Sequence, residues 1–94
     1  MSDPKYTLID NKEKNRFEFR IADQVAVADY HISGNVISIP HVGVPKVLEG
    51  QGIASALVLA VLKNIDERQL KLIPICPFVV TYVQRHPEWK KLLN

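Results

Sequence analysis

Apolar and polar residues alternate along much of the first half of the chain, which is the pattern of β-strands with one face in water. The clearest case is Phe17, Phe19 and Ile21, which alternate with Glu18 and Arg20. Polar and small residues interrupt the pattern at positions 11–15, 22–23 and 33–35, where we expect turns. The pattern therefore predicts four strands, at residues 6–10, 17–21, 25–32 and 36–44, in an antiparallel meander.

A helical period replaces the alternation after residue 52. Between residues 52 and 68 the apolar positions form one stripe, which comprises Ala54, Leu57, Val58, Val61, Leu62 and Ile65. We expect this helix to cover the apolar face of the sheet. Residues 70–75 form a fifth strand, and because a helix separates it from the fourth strand, the two are predicted to be parallel neighbours.

Prolines delimit the C-terminal elements. Pro77 suits the first position of a second helix, which we expect to end at residue 85 or 86, before Pro87. A short terminal helix follows, with Trp89, Leu92 and Leu93 as apolar anchors. The pattern as a whole predicts an α+β fold in a single domain, residues 1–94.

Composition and charge fit one ordinary globular domain, since 47% of the 94 residues are hydrophobic and 23% are charged. The net charge of +2 is spread along the chain, and its denser basic spots, at residues 12–16 and 90–91, contain no aromatic residues, so we expect no nucleic-acid partner. The longest apolar run is about half a membrane span, and residues 1–5 show no secretory signal. A single cysteine excludes an internal disulfide and a thiolate zinc site. We therefore expect a cytoplasmic protein with neither a metal nor a membrane partner.

A glycine-rich loop precedes the first predicted helix, where residues 47–54 read VLEGQGIA. Glycines at positions 50 and 52 permit positive φ angles, so the turn can direct several backbone N–H groups towards one point. The first turn of the helix adds further unpaired N–H groups and the positive end of its dipole. The loop is therefore a candidate diphosphate site, although two glycines before a helix also form plain tight turns.

Residues 41–54 and a second segment, residues 72–89, together resemble the GNAT superfamily of N-acetyltransferases. The second segment contains the run LIPICPFV at residues 72–79, and then Tyr82 and RHPEW at residues 85–89. More narrowly, these segments resemble the minimal single-domain branch of that superfamily. One residue departs from the pattern, since Glu49 stands where the acetyl-CoA loop of the superfamily usually has Gln or Arg.

The resemblance implies acetyl-CoA as the cosubstrate. Its diphosphate is expected on the backbone of the loop, at Gly50, Gln51, Gly52, Ile53 and Ala54. The superfamily fold has splayed fourth and fifth strands, with the pantetheine arm between them. Here that arm is expected along Ile39, His41, Val42, Gly43 and Val44. Pro40 agrees with such a splay, because a proline within a strand marks an edge, a bulge or a gap in pairing.

Cys76 is the first candidate for chemistry. It immediately precedes Pro77 and so occupies the predicted N-cap of the second helix, where the helix dipole favours the thiolate and lowers the thiol pKa from about 8.5 towards 7. The alternative is a buried, inert cysteine. In the branch that the chain resembles, a cysteine at this place lies near the thioester carbon, either as a nucleophile or as a residue that lines the site.

Two further residues are candidates for proton transfer. His41 lies on the fourth strand, where unbroken alternation places it on the same face as Ile37 and Ile39, and it is a candidate base for the incoming amine. Tyr82 lies on the second helix, where many members of the superfamily have a tyrosine that returns a proton to the CoA sulfur. Each residue also has a structural alternative, as a hydrogen-bonded histidine or a core tyrosine.

Two functions follow from the sequence. The first is an acetyl-CoA-dependent N-acetyltransferase that acts on an amine by direct attack, and the second is a module that binds CoA or an acyl-CoA without turnover. Glu49 and the short chain favour the second, whereas a cysteine at a helix start favours the first. The acceptor remains open among small amines, amino acids, peptide termini and protein lysines.

Overall fold

The computed structural model describes residues 6–94, and the expectation that residues 1–5 contain no secretory signal lies outside this range. Five strands form one sheet in the order β1-β2-β3-β4-β5. They are β1 (Leu8–Asn11), β2 (Arg16–Ile21), β3 (Gln24–Ser33), β4 (Val36–Gly43) and β5 (Lys71–Pro74). Helix α1 (Ile53–Glu67) connects β4 to β5, and helix α2 (Pro77–Arg85) follows β5. No helix in residues 6–94 is long and apolar enough to cross a membrane.

The strand pairing confirms the predicted α+β architecture. Strands β1 to β4 form an antiparallel meander, and β5 pairs with β4 in parallel. Two short 3₁₀ segments, Lys46–Leu48 and Pro87–Leu92, complete the chain. The first of these was not predicted, because a single turn is too short to show a period. The second occupies the place of the predicted terminal helix.

One face of the sheet packs against α1, and we call it the inner face. It carries the buried side chains of Phe17, Phe19, Ala26, Ala28, Tyr30, Ile37 and Ile39. From α1, the buried side chains are Ile53, Leu57, Val58, Val61, Leu62 and Ile65. The predicted stripe is therefore confirmed except at Ala54, which is only partly buried, while Ile53 joins the core instead.

The C-terminus closes the free edge of β5. The Asn94 N–H donates to the Leu72 carbonyl at 3.0 Å, so the last residues pair with the strand. Leu92 is buried and Trp89 packs against the core, as predicted. Leu93 is 38% exposed and is not an anchor, because the chain is extended there and turns its side chain outward.

A bulge interrupts β4 at Ile39 and Pro40. His41 pairs with Asp29, but Ser38 pairs with His31, so three steps along β4 match two steps along β3. The extra residue reverses the alternation of β4 beyond it. The prediction that His41 shares a face with Ile37 and Ile39 is therefore wrong, since His41 lies on the opposite, outer face.

The outer face carries a buried carboxylate at its centre. Glu18 is only 1% exposed, although the alternation of β2 predicted a water-facing residue. Its carboxylate accepts hydrogen bonds from Arg16 Nε at 2.7 Å, Arg20 Nε at 3.0 Å and Asn11 Nδ2 at 3.0 Å. The hydrogen bond from Arg16, with those from Asn11 and Arg20, lowers the pKa of Glu18 to about 2 against the opposing effect of burial.

Substitution of Glu18 tests this network. We expect Glu18→Gln to lower the free energy of unfolding at pH 7 by about 2 kcal/mol, since it leaves two guanidinium groups without their carboxylate. The folded-state pKa lies below the unfolded value, so the stabilisation is complete above about pH 4.5 and is lost as the pH falls towards 2. Urea unfolding of both proteins at pH 7 and near pH 2 measures the difference, which should shrink at the acid end.

Glu13→Gln is the matched control, because Glu13 is exposed in the β1–β2 turn. An equal loss of stability in the two variants at pH 7 would contradict the assignment.

Candidate functional site

The glycine-rich loop has the backbone conformation that its sequence predicts. Gly50 and Gly52 have φ angles of +83° and +73°, and Gly52 is the N-cap of α1. A Cβ atom built on either residue meets no atom within 4 Å, so both positions face open space. The loop thus combines a left-handed backbone with an unobstructed surface at the start of a helix.

Several backbone N–H groups of this loop have no acceptor within the described residues. Within residues 6–94, the N–H of Glu49 donates to the Lys46 carbonyl at 3.1 Å, and the next backbone N–H that has an acceptor is that of Ala56, which donates to the Gly52 carbonyl at 3.0 Å. The six preceding N–H groups, of residues 50–55, make no hydrogen bond to the described protein, and no side chain caps the helix. A run of unpaired N–H groups at the positive end of a 15-residue helix attracts a phosphate anion.

A surface cavity of about 210 Å³ lies beside these donors. Its walls come from the end of β4, the loop, the first turn of α1 and the first turn of α2. The lining residues are Val44, Leu48, Glu49, Gly50, Gly52, Ile53, Ala54, Ser55 and Phe78. Among these described residues Glu49 alone carries a charge, so the cavity offers an anion backbone dipoles and a single unfavourable carboxylate.

The pairing of β4 with β5 ends close to this cavity. The last pair is Ile39 with Pro74, after which the Ile39 carbonyl accepts the N–H groups of Ile75 at 3.3 Å and Cys76 at 2.9 Å. From His41 to Gly43, β4 pairs with β3 and with no other described strand. Since alternate residues of an antiparallel strand direct their N–H groups away from the partner, at least one N–H of residues 41–43 faces this gap.

Cys76 lies at the closed end of the gap. It is the N-cap of α2, with Pro77 in the first turn, as the sequence predicts. Its backbone N–H is tied to Ile39, which fixes its position relative to β4. The side chain is 8% exposed and belongs to the core cluster, so it is more enclosed than a surface thiol.

His41 lies in different surroundings from Cys76. Its side chain is 61% exposed on the outer face, and its Nδ1 is 3.1 Å from Oδ2 of Asp29 on β3. The bulge at residues 39–40 brings these two side chains together across the strands. Because simple alternation does not reveal a bulge, no sequence pattern pointed to Asp29 as the partner of His41.

Tyr82 lies on α2 one turn beyond Phe78, so the two side chains share a helix face. Its ring lies against the ring of His86, one further turn along, with 4.2 Å between the ring centroids and 32° between the ring planes. Burial, with a smaller effect of the nearby Glu88 charge, raises the pKa of the Tyr82 hydroxyl above its usual value. The phenol therefore keeps its proton throughout the neutral range.

Five of the ten predicted cofactor residues, Val44, Gly50, Gly52, Ile53 and Ala54, line the cavity. Of the candidate catalytic residues, His41 lies on the outer face of the sheet and Cys76 in the core cluster. Sequence reasoning missed three lining residues, Leu48, Ser55 and Phe78. The sequence does contain a signal for Phe78, because a large apolar residue in the first turn of a short helix beside Pro77 faces either the core or a ligand. Its side chain is 39% exposed, so it does not belong to the core. Within residues 6–94, no group of three or more His, Cys, Asp or Glu side chains is arranged to hold a metal ion.

Comparisons with known proteins identify the family and match the fold. The family model of the GCN5-related N-acetyltransferases matches residues 16–92, which is most of the chain. The fold is similar to the solution structure of a GCN5-like protein from Staphylococcus aureus, with a TM-score of 0.70 and 26% sequence identity. That match covers 100% of this chain and 91% of the other. The chain therefore belongs to the GCN5-related N-acetyltransferase family.

Proposed function

We propose that this N-acetyltransferase takes its acetyl group from acetyl-CoA and passes it directly to an amine. The supporting observation is the run of six unpaired N–H groups at residues 50–55, which opens onto a cavity next to the gap between β4 and β5. Backbone donors suit a diphosphate, and a strand edge with free N–H groups suits an amide-containing arm. Acetyl-CoA carries both, and its thioester supplies an acetyl group that is already activated.

The loop would hold the diphosphate through its backbone rather than through cationic side chains. Gly50 and Gly52 leave their surface open, so phosphate oxygens can approach the N–H groups closely. The N–H groups of Ile53, Ala54 and Ser55 add the helix dipole to this attraction. Glu49 opposes it, and since Glu49 is exposed, water and salt screen much of its effect.

The gap beside β4 would receive the pantetheine arm, with its amides against residues 39–44. Val44 and Phe78 form the apolar walls where the gap meets the cavity. A free N–H of residues 41–43 is the proposed donor to the acetyl carbonyl oxygen, where it would stabilise negative charge as the amine attacks. Alignment of the amine with this carbonyl gives much of the rate, because it removes the entropic cost of bringing the two together.

Proton transfer is assigned to two side chains. His41 is the proposed acceptor of the amine proton, from the outer face of the gap. Tyr82 is the proposed donor to the CoA sulfur, since its phenol is protonated at neutral pH. Cys76 is proposed to line the acetyl end of the site without becoming acylated, because transfer from one thioester to another would gain little energy.

Turnover is the direct test of the proposed function. Purified protein is incubated with acetyl-CoA and a panel that contains a polyamine, an amino acid, a peptide amino terminus and a lysine peptide. We expect release of free CoA together with an acetylated amine in mass spectra of at least one mixture. Binding of acetyl-CoA without product in any mixture would favour a CoA-binding module instead.

Gly52→Glu should weaken CoA binding by at least about tenfold, or roughly 1.4 kcal/mol, since its side chain fills the open surface and adds negative charge. Gly34→Glu is a matched control, because Gly34 also has a positive φ, of +62°, and faces open space, but in the β3–β4 turn. Calorimetric titration of both variants with CoA separates loss of the phosphate site from backbone strain. Equal affinities of Gly52→Glu and wild type would contradict the loop assignment.

Glu49→Gln should tighten CoA binding by roughly threefold at low ionic strength, which lies within the range of about 1 kcal/mol for exposed charges. The gain should fall as salt is added, because screening already weakens the repulsion in the wild type. Titrations at two salt concentrations measure both effects. Tighter binding by wild type than by Glu49→Gln would show that the carboxylate helps the ligand.

Cys76→Ala should retain at least about a tenth of kcat/KM, a loss of no more than roughly 1.4 kcal/mol of transition-state stabilisation. Direct transfer also requires amine and acetyl-CoA together in one complex, so double-reciprocal plots should intersect. Steady-state kinetics with both substrates varied provides the measurement. Parallel lines, or an acetyl group on Cys76 that passes into product, would establish a covalent route.

A further inference from the structure

The hydrogen bond between His41 and Asp29 is the best-defined side-chain contact on the part of the outer face that borders the gap. Nδ1 of His41 lies 3.1 Å from Oδ2 of Asp29, and the two residues are directly paired across β4 and β3. Both side chains are well exposed, at 61% and 43%. An exposed pair of this kind adds little to stability, typically less than about 1 kcal/mol, so its main physical effect is on the imidazole itself.

A carboxylate at neutral pH only accepts hydrogen bonds, so the proton of this contact resides on Nδ1. In the neutral ring the other nitrogen, Nε2, then carries the free lone pair. Asp29 therefore selects one tautomer of His41. It also limits rotation of the ring, because the hydrogen bond fixes the position of Nδ1.

Gly43 leaves room for the ring of His41. A Cβ atom built on Gly43 would be 2.9 Å from Cε1 of His41 and 3.4 Å from Nε2, so the far edge of the ring rests over the backbone of this glycine. This stretch of β4 is the one that lacks a β5 partner. Nε2 therefore lies on the outer face, over the stretch of β4 that borders the gap that we assign to acetyl-CoA.

The neighbouring charged side chains do not compete for the Asp29 carboxylate. Arg16 on β2 pairs with Asp29 from the other side, but its Nε is bound to Glu18 at 2.7 Å. His31 is the next outer-face residue of β3 and pairs with Ser38 beyond the bulge. Within residues 6–94, the side-chain hydrogen bond of the Asp29 carboxylate is therefore the one with His41.

We propose that Asp29 is a positioning residue for acetyl transfer, which holds the proton on His41 Nδ1 so that Nε2 accepts a proton from the acceptor amine. The inference rests on the proposed function. Nε2 takes one proton from the ammonium form of the acceptor, and the freed nitrogen lone pair bonds to the acetyl carbon. The carbon–sulfur bond breaks and the sulfur keeps its electron pair. The sulfur takes a proton from the Tyr82 phenol, and the second amine proton restores the proton of that phenol. The products are an N-acetyl amine and CoA thiol, and the imidazolium returns its proton to water.

The tautomer is measured first, without acetyl-CoA. Long-range ¹H–¹⁵N spectra at a pH about two units above the ordinary imidazole pKa report which ring nitrogen carries the proton. We expect the Nδ1–H form for His41 in the wild type and a shift towards Nε2–H in Asp29→Ala. His31 and His86 provide internal controls in the same spectra. Identical ring-nitrogen shifts for His41 in the two proteins would overturn the proposal whether or not the protein is an enzyme.

Kinetics then tests the use of that tautomer. At saturating acetyl-CoA we expect Asp29→Ala to lower kcat by roughly tenfold or more, while KM for acetyl-CoA stays nearly constant. Gly43→Ala should also lower kcat, since a Cβ would displace the ring without removal of the carboxylate. Ser38→Ala, on the outer face of the same strand, is the matched control and should keep wild-type kcat. A normal kcat in Asp29→Ala would overturn the positioning role.

Discussion

The bulge at Ile39 and Pro40 is the constraint on which the site depends. Proline has no backbone N–H, so the hydrogen-bond ladder of β4 cannot continue unbroken through this position. The bulge marks the end of the pairing between β4 and β5, and the strands separate beyond it. The same extra residue turns His41 to the outer face, opposite Asp29. One local irregularity thus opens the cleft and places a titratable side chain at its border.

The two ends of the cleft differ in their physical character. At the open end, binding would depend on backbone dipoles, because the described lining residues include one carboxylate and no cation. Such a site depends on the φ angles of two glycines more than on any charged side chain. At the closed end, the hydrogen bond from Cys76 to Ile39 joins the start of α2 to β4. The backbone therefore determines the geometry at both ends.

The outer face of the sheet is stabilised by charge rather than by a helix. Helix α1 packs on the inner face, and α2 contacts α1, β4 and β5. On the outer face of β2, two arginines and Asn11 enclose Glu18 and satisfy its carboxylate. Full pairing makes a buried carboxylate tolerable. The outer face thus stays exposed beside Asp29 and His41.

Features that are local in sequence were predicted from the sequence by itself. The order of strands and helices follows from hydrophobic periods, the loop conformation from Gly50 and Gly52, and the N-cap position of Cys76 from Pro77. The tertiary structure alone decided which face carries His41, that Asp29 is its partner, and that Glu18 is buried. The reason is that strand alternation has a period of two, so one extra residue reverses every face beyond it. Whether an extra residue is present depends on the register with the neighbouring strand, which is a contact between distant parts of the chain.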